Sequence, residues 1–424
     1  MDMFANLLLG LETATTPMNL LYCLIGVFLG TLFGVVPGIG ALSAISMLFP
    51  LTFYLDPTTA LIMLAGIWYG TSYGGSTASI LLNLPGTPAN AVACLDGYPM
   101  AKKGRGGVAL LMTTLGSFVG GSLGIILMTL FAPAIATYAL SFGSQEYFAL
   151  IVLGLVASTT VSDGSAVKGL AMVVLGLIIG TIGLDIYTAA PRFTFGQLNL
   201  DDGISLVVLA MGLFGIGEII ATIGKVDARS IDRKSASLSA MRPTREEWGR
   251  SWMPMLRGSG IGAFFGALPG VGPSIAAFVA YAVEKRVSKK PEEFGHGAIE
   301  GVVSPESANN ASDQTAFIPT MALGVPGSAT MALMLGVLIM HGITPGPKIM
   351  TEQPDLFWGL VMSFWIGNLL LVVLNIPMIG LWVRMLLVPY HMLYPVVLML
   401  VGIGVFTVSN NTFDIWLVAI FGVL

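Results

Sequence analysis

The sequence predicts an all-α polytopic membrane protein made of two repeats of inverted topology, each with a re-entrant hairpin and a transmembrane helix broken at Pro-Gly. Three observations carry this reading. Of 424 residues, 55% are hydrophobic and 10% charged, with a mean hydropathy of +0.85; a soluble domain carries roughly 25% charge. The 19 Lys and Arg residues gather in a few loops. A Gly/Pro pattern occurs twice, 232 residues apart. The 53 glycines fit closely packed membrane helices better than a flexible linker. Two cysteines and three histidines leave little material for a disulfide framework or a metal cluster.

In chain order, the first stretch bears Asp2 and Glu12 and no base. The first basic residue is Lys102, so the positive start of a cleavable signal peptide is not expected. Tract 20–50 is apolar around Pro37-Gly38-Ile39-Gly40, and tract 57–100 crosses once but is interrupted at Pro85-Gly86. A span needs roughly 20 apolar residues, and candidates follow at 107–131, 146–162, 168–186 and 203–222. Eight basic residues then fall between Lys225 and Arg257. Interleaved acids and flanking apolar segments argue against nucleic acid as their partner. Tract 258–284 repeats the hairpin pattern around Pro269-Gly270-Val271-Gly272, and tract 310–341 is broken at Pro326-Gly327. Spans at 356–384 and 393–408 follow. The last segment is still apolar at Leu424, too short to span, so the natural protein is expected to continue. The resulting division is a first membrane repeat at 1–223, a cytoplasmic basic linker at 224–257 and a second, inverted repeat at 258–424.

Positive charge selects the cytoplasmic face. Placing Lys102–Arg105 inside puts 17 of the 19 bases inside, with Arg192 and Lys348 as exceptions. Both ends of tract 258–284 are then cytoplasmic and both ends of tract 20–50 external, as re-entrant hairpins require. Gly26, Gly30, Phe33, Gly34, Pro37, Gly38 and Gly40 recur as Gly258, Gly262, Phe265, Gly266, Pro269, Gly270 and Gly272. Asn83-Leu84-Pro85-Gly86-Thr87-Pro88 is echoed by Gly324-Val325-Pro326-Gly327-Ser328-Ala329, and Val161-Ser162-Asp163 more weakly by Val408-Ser409-Asn410. An odd number of crossings between the hairpins inverts the second copy. Such paired hairpins and broken helices are the layout of secondary transporters.

The stretches Gly-Thr-Leu-Phe-Gly-Val-Val-Pro-Gly-Ile-Gly (30–40), Tyr-Gly-Gly-Ser-Thr-Ala-Ser-Ile-Leu-Leu-Asn-Leu-Pro-Gly-Thr-Pro (73–88) and Pro-Glu-Ser-Ala-Asn-Asn-Ala (305–311) resemble the large membrane subunit of the tripartite tricarboxylate transporters, the TctA family. The resemblance covers nearly the whole chain. It implies a permease of the bacterial inner membrane that works with a small four-helix membrane subunit and a periplasmic solute-binding protein. Its substrates would be small carboxylates, taken up with a co-transported sodium ion or proton and without a bound cofactor.

A carboxylate entering the bilayer must exchange water for fixed donors. No Lys or Arg lies in the motif tracts, so helix N-termini, with free N–H groups and about half a positive charge, are the alternative. Breaks at Pro-Gly create such ends. The expected substrate-binding set is therefore Gly38, Gly40, Ser43, Asn83, Gly86, Thr87, Gly270, Gly272, Ser274, Asn309, Asn310, Gly327, Ser328 and Thr330. For each there is a structural alternative: packing for the glycines, back-bonding or capping for the hydroxyls. Asp313, with Asn310, is the expected cation-coupling group, because at an offset of 241 it stands where the first repeat has Ser72. The alternative for Asp313 is a solvated loop. No catalytic residue or metal site is expected, since no nucleophile–base pair, metal-ligand spacing or phosphate-binding loop is readable. A channel with re-entrant loops is the competing function.

Overall fold

The computed structural model describes residues 3–36, 40–160, 165–185, 188, 190–222, 240–386 and 390–424. The expectations for Pro37, Gly38 and the echo at 161–163 lie outside the described residues. Among those described, the structure is almost wholly helical. The first half runs α1 (Met3–Ala14), α2 (Pro17–Val35), α3 (Ala41–Leu48), α4 (Pro57–Leu82), α5 (Ala91–Met100), α6 (Gly106–Ala139), α7 (Ser144–Thr160), α8 (Ala166–Ile179), α9 (Leu206–Ala210) and α10 (Gly217–Thr222). A π-turn joins α9 to α10, and a two-residue ladder pairs β1 (Gly183–Leu184) with β2 (Pro191–Arg192). The second half runs α11 (Arg245–Gly266), α12 (Gly272–Val287), α13 (Glu300–Thr315), α14 (Phe317–Leu323), α15 (Ala329–Met340), α16 (Ile349–Glu352), α17 (Pro354–Asn375), α18 (Ile379–Met385), α19 (Tyr390–Ser409) and α20 (Thr412–Val423). Among the described residues, three stretches are long and apolar enough to cross a membrane: Pro17–Val35, Ala91–Ala139 and Pro354–Asn375.

Local chemistry sets the element ends. The Thr16 hydroxyl accepts from Asn19 N at 3.4 Å to start α2. Thr244 and Glu247 form a reciprocal capping box at α11. That helix begins within the basic segment and runs continuously past residue 258. The expected 356–384 span is two helices, α17 and α18. The tract expected to begin at 310 begins instead at Glu300, because α13 is polar in composition yet buried at every residue.

Glycine decides how the central helices meet. A Cβ on Gly26, Gly30 or Gly34 of α2 would collide with the carbonyl oxygens of Met63, Ile67 and Thr71 on α4. Gly66, Gly70 and Gly74 of α4 meet the backbone of α2 in return. In the second half, Gly258, Gly262 and Gly266 of α11 sit against the carbonyls of Ser304, Ala308 and Ser312 on α13. The glycines are related by an offset of 232, and their carbonyl partners by 241. Backbones this close maximise dispersion contact where lipid supplies no hydrophobic drive. Each central helix also receives one from the other half: α17 packs on α4, and α6 on α13 through Gly116, Gly120 and Gly124. Consequently α4 and α13 are buried all round and form the centre of the bundle.

Candidate functional site

Both central helices stop where a residue turns left-handed. Asn83 (φ 57°) ends α4 and Gly324 (φ 71°) ends α14, the continuation of α13. These positions are again 241 apart. Each is followed by Pro-Gly and a hydroxyl residue that accepts a backbone N–H three residues on, at 3.3 Å for Asn90 N to Thr87 Oγ1 and 3.2 Å for Met331 N to Ser328 Oγ. Ser328 is thus the N-cap of α15, whereas Thr87 closes the turn ahead of α5 and also donates to Asn90 Oδ1 at 2.7 Å.

The first break and the residues just after the second border a cavity of about 470 Å³. Its wall brings together Gly40, Ser43, Gly86, Thr87, Ser274, Asn309, Asp313, Ser328 and Thr330, nine residues selected from sequence, with Ser72, Trp68 and Phe214. Three helices begin on this wall: α3 after Gly40, α12 at Pro273–Ser274 and α15 after Ser328. Their first N–H groups lack intrahelical acceptors, which suits an anion. No Lys or Arg lines the cavity. A second cavity, of about 500 Å³, shares Pro273, Ser274 and Ser328 and takes in Gly270, Gly272 and Gly327. Gly270 (φ 79°) and Gly272 (φ 69°) adopt the left-handed backbone that the turn into α12 requires. Ser43 does not back-bond to its own helix; its hydroxyl donates to Phe214 O at 2.6 Å.

Two selected residues lie elsewhere. Asn83 is an exposed helix terminator and does not line either cavity. Asn310 turns its amide nitrogen to Ser117 Oγ (2.9 Å) and to the Glu306 carboxyl (3.2 Å).

Asp313 is not in a solvated loop: it sits in α13 with no solvent exposure. Its Oδ2 accepts from Ser72 Oγ at 2.8 Å, while Oδ1 has no hydrogen-bond partner. Asn309, one turn earlier and 2% exposed, has both amide atoms without partners. Tyr69 OH and Gln314 Oε1 are also buried and unbonded. Buried polar atoms are rarely left this way in folded proteins, and here they concentrate at one level of α13. The ion pairs lie apart from this level. Arg250 joins Glu293 (2.6 Å) and Glu300 (2.8 Å), Lys290 joins Glu246 (2.9 Å), and Arg257 joins Glu284 (2.6 Å). The hydrogen bond from Arg250 holds the Glu293 carboxyl below the usual carboxylate range.

Sequence reasoning missed Glu306 and Asn90. Glu306 is 3% exposed and accepts from Ser76 Oγ (2.7 Å) and Ser117 Oγ (2.8 Å). Asn90 donates to Ser72 O (3.1 Å) and Ser76 Oγ (2.9 Å). The available signal was spacing: seven residues separate Glu306 from Asp313, which places both on one face once a single helix is assumed. Contacts from Ser72 to Asp313 and from Ser76 to Glu306 run in opposite chain directions, so α4 and α13 are antiparallel where they meet.

The family model described as "Tripartite tricarboxylate transporter TctA family" matches residues 20–424. An uncharacterized 52.8 kDa protein in the TAR-I ttuC' 3' region of Agrobacterium vitis is 51% identical over all 424 residues, covering 84% of that relative. A second uncharacterized protein, in the TAR-II ttuC' 3' region of the same organism, is 55% identical over 163 residues, or 38% of this chain and 67% of the relative. No solved structure matches significantly.

Proposed function

The chain belongs to the tripartite tricarboxylate transporter TctA family, and from that premise we propose that it is the subunit through which small carboxylates, of tri- or dicarboxylate class, cross a bacterial inner membrane. A periplasmic binding protein delivers the substrate and a small four-helix membrane subunit completes the assembly. A sodium or proton gradient drives uptake. The chain folds as two inverted repeats whose hairpins re-enter the membrane from opposite faces. The antiparallel meeting of α4 and α13, helices matched at an offset of 241, supports the inversion.

The cavity is the observation that carries this reading. The first Pro-Gly break, the residues that follow the second (Ser328–Thr330), the start of α3 and the start of α12 converge there without a basic side chain. Substrate carboxylates take hydrogen bonds from helix N-termini and hydroxyls instead of an ion-pair clamp. Asp313 Oδ1 and the Asn309 amide oxygen, both unbonded, hold the coupling cation beside the substrate. Asn310 is left out of that set because its amide is engaged with Glu306.

The test is uptake of radiolabelled citrate and shorter dicarboxylates by membrane vesicles containing all three subunits, under imposed sodium or proton gradients. Accumulation against a gradient is expected; equilibration alone identifies a channel. In Asp313→Asn, accumulation should fall at least tenfold under the driving gradient. An unchanged response to both gradients removes Asp313 from coupling.

A further inference from the structure

We propose that Glu306 is a proton-binding site, set between the carboxylate cavity and a separate water-sized void on the side where α6 begins. The inference rests on the transport reading above and deepens it by naming the group that holds the proton.

Glu306 forms no ion pair among the described residues, and all three of its partners are donors: the hydroxyls of Ser76 and Ser117 and the Asn310 amide N–H. A metal ion would need free oxygens here, and the donors exclude it. A proton needs only one rearrangement, and the geometry supplies it. The Ser76 hydroxyl has a second acceptor, Ser72 O at 3.3 Å. When Glu306 is ionised, Ser76 donates to it. When Glu306 is neutral, it donates to Ser76 Oγ while Ser76 turns its own proton to Ser72 O. Both states are hydrogen-bonded, so neither leaves the carboxyl unpartnered in a dry interior.

Polar groups flank the site on two sides. A void of about 10 Å³, bordered by Ser76, Ser117, Thr113 and Thr114, is room for one water against the hydroxyls that hold Glu306. Toward the cavity, Ser76 Oγ accepts from Asn90, which accepts from Thr87 on the cavity wall. An anion entering that cavity favours the neutral acid through like-charge repulsion, so proton uptake accompanies substrate loading.

The neighbouring titratable and charged groups are engaged elsewhere. Tyr73 on α4 donates its hydroxyl to Asn368 on α17 at 2.7 Å, and Asp313 lies two turns away bonded to Ser72. Asp96 on α5 is saturated by the backbone N–H groups of Gly295, Gly297 and Ala298 and by the Tyr281 hydroxyl of α12. On α11 and α12, Arg250 with Glu300 and Arg257 with Glu284 pair with one another.

The test is infrared difference titration of the purified full chain, following the C=O stretch of protonated carboxylic acid. Wild type is expected to show a band that grows as pH falls, with a component absent from Glu306→Gln but retained in Glu306→Asp and Asp313→Asn. The proposal is overturned if Glu306→Gln leaves the titrating band intact, if the band it removes does not change with pH, or if it removes none. In vesicles of the complete transporter, Glu306→Gln should still exchange labelled for unlabelled carboxylate while losing the pH dependence of accumulation. Loss of exchange in protein that melts like wild type, or a retained pH profile, overturns the proposal. Absence of accumulation by the wild type would instead count against the transport reading itself.

Discussion

The broken helix of the first half and that of the second align position by position at an offset of 241, yet they are held in different ways. At the first break, Gly86 is wedged between Gly75 of α4 and Gly34 O of α2, where an added Cβ would lie 2.6 Å from that oxygen. At the second, the matching pair is Gly327 and Ala316, and a Cβ on Gly327 would meet Ala316 Cβ at a comfortable 3.8 Å. Asn90 then ties the first break to Ser72, Ser76 and Thr87, whereas its counterpart, Met331, packs apolarly with no exposure. The chemistry is divided the other way. Asp313 and Glu306 stand on the second central helix where the first has Ser72 and Ala65. One repeat supplies a locked frame, and the other supplies the ionisable groups beside a roomier break.

The largest expected effect comes from filling the first break. Gly86→Val should cost about 3 kcal/mol, since backbone atoms on both sides cannot yield. It should appear as a lower melting temperature in detergent and as lost uptake. Gly327→Ala should change stability by no more than about 1 kcal/mol. Equal losses in the two variants would abolish the proposed difference in tightness.

The next contrast is Asn90→Leu against Met331→Leu. The first strands buried partners and should cost about 1–3 kcal/mol; the second conserves volume and should cost less than about 1.5 kcal/mol. Denaturation of the purified chain distinguishes them, and a reversed order would mean that packing, not the amide, locks the first break.

Removing the Thr87 turn bond and the Ser328 cap should have smaller consequences. Thr87→Ala is expected to cost about 2 kcal/mol and Ser328→Ala about 1 kcal/mol, because only Thr87 also donates to Asn90. Uptake by Ser328→Ala that falls further than its melting shift predicts would give Ser328 a direct contact with substrate. Uptake that merely tracks stability would leave it as a cap.

Cysteine labelling sharpens the comparison without a stability effect. With Cys23 and Cys94 replaced, Phe53→Cys and Lys289→Cys occupy exposed positions in the segments that follow α3 and α12. An impermeant thiol reagent should reach them from opposite faces of the membrane. Labelling of both from one side rules out inversion.

Much of this architecture is written in the sequence because it depends on local chemistry. Apolar runs mark membrane helices, Pro-Gly marks the breaks, and glycine spacing marks the faces that meet. Those rules, with the 241 offset for Asp313, point to Gly40, Ser43, Gly86, Thr87, Ser274, Asn309, Asp313, Ser328 and Thr330, all on the cavity wall. Hydropathy failed at α13, whose Glu300–Thr315 segment is too polar to be read as a buried helix. Its burial is helped by Ser76 and Ser117, from other helices, which bond both oxygens of Glu306, and by Ser72, which bonds one oxygen of Asp313. The sequence by itself determined the helical class, the breaks and the family. Only the tertiary structure decided that Glu306 and Asn310 share one hydrogen-bonded group while Asp313 and Asn309 face a cavity. That choice depends on partners 189 to 241 positions away in the chain, and residue spacing along one helix carries no information about which neighbour supplies the donor.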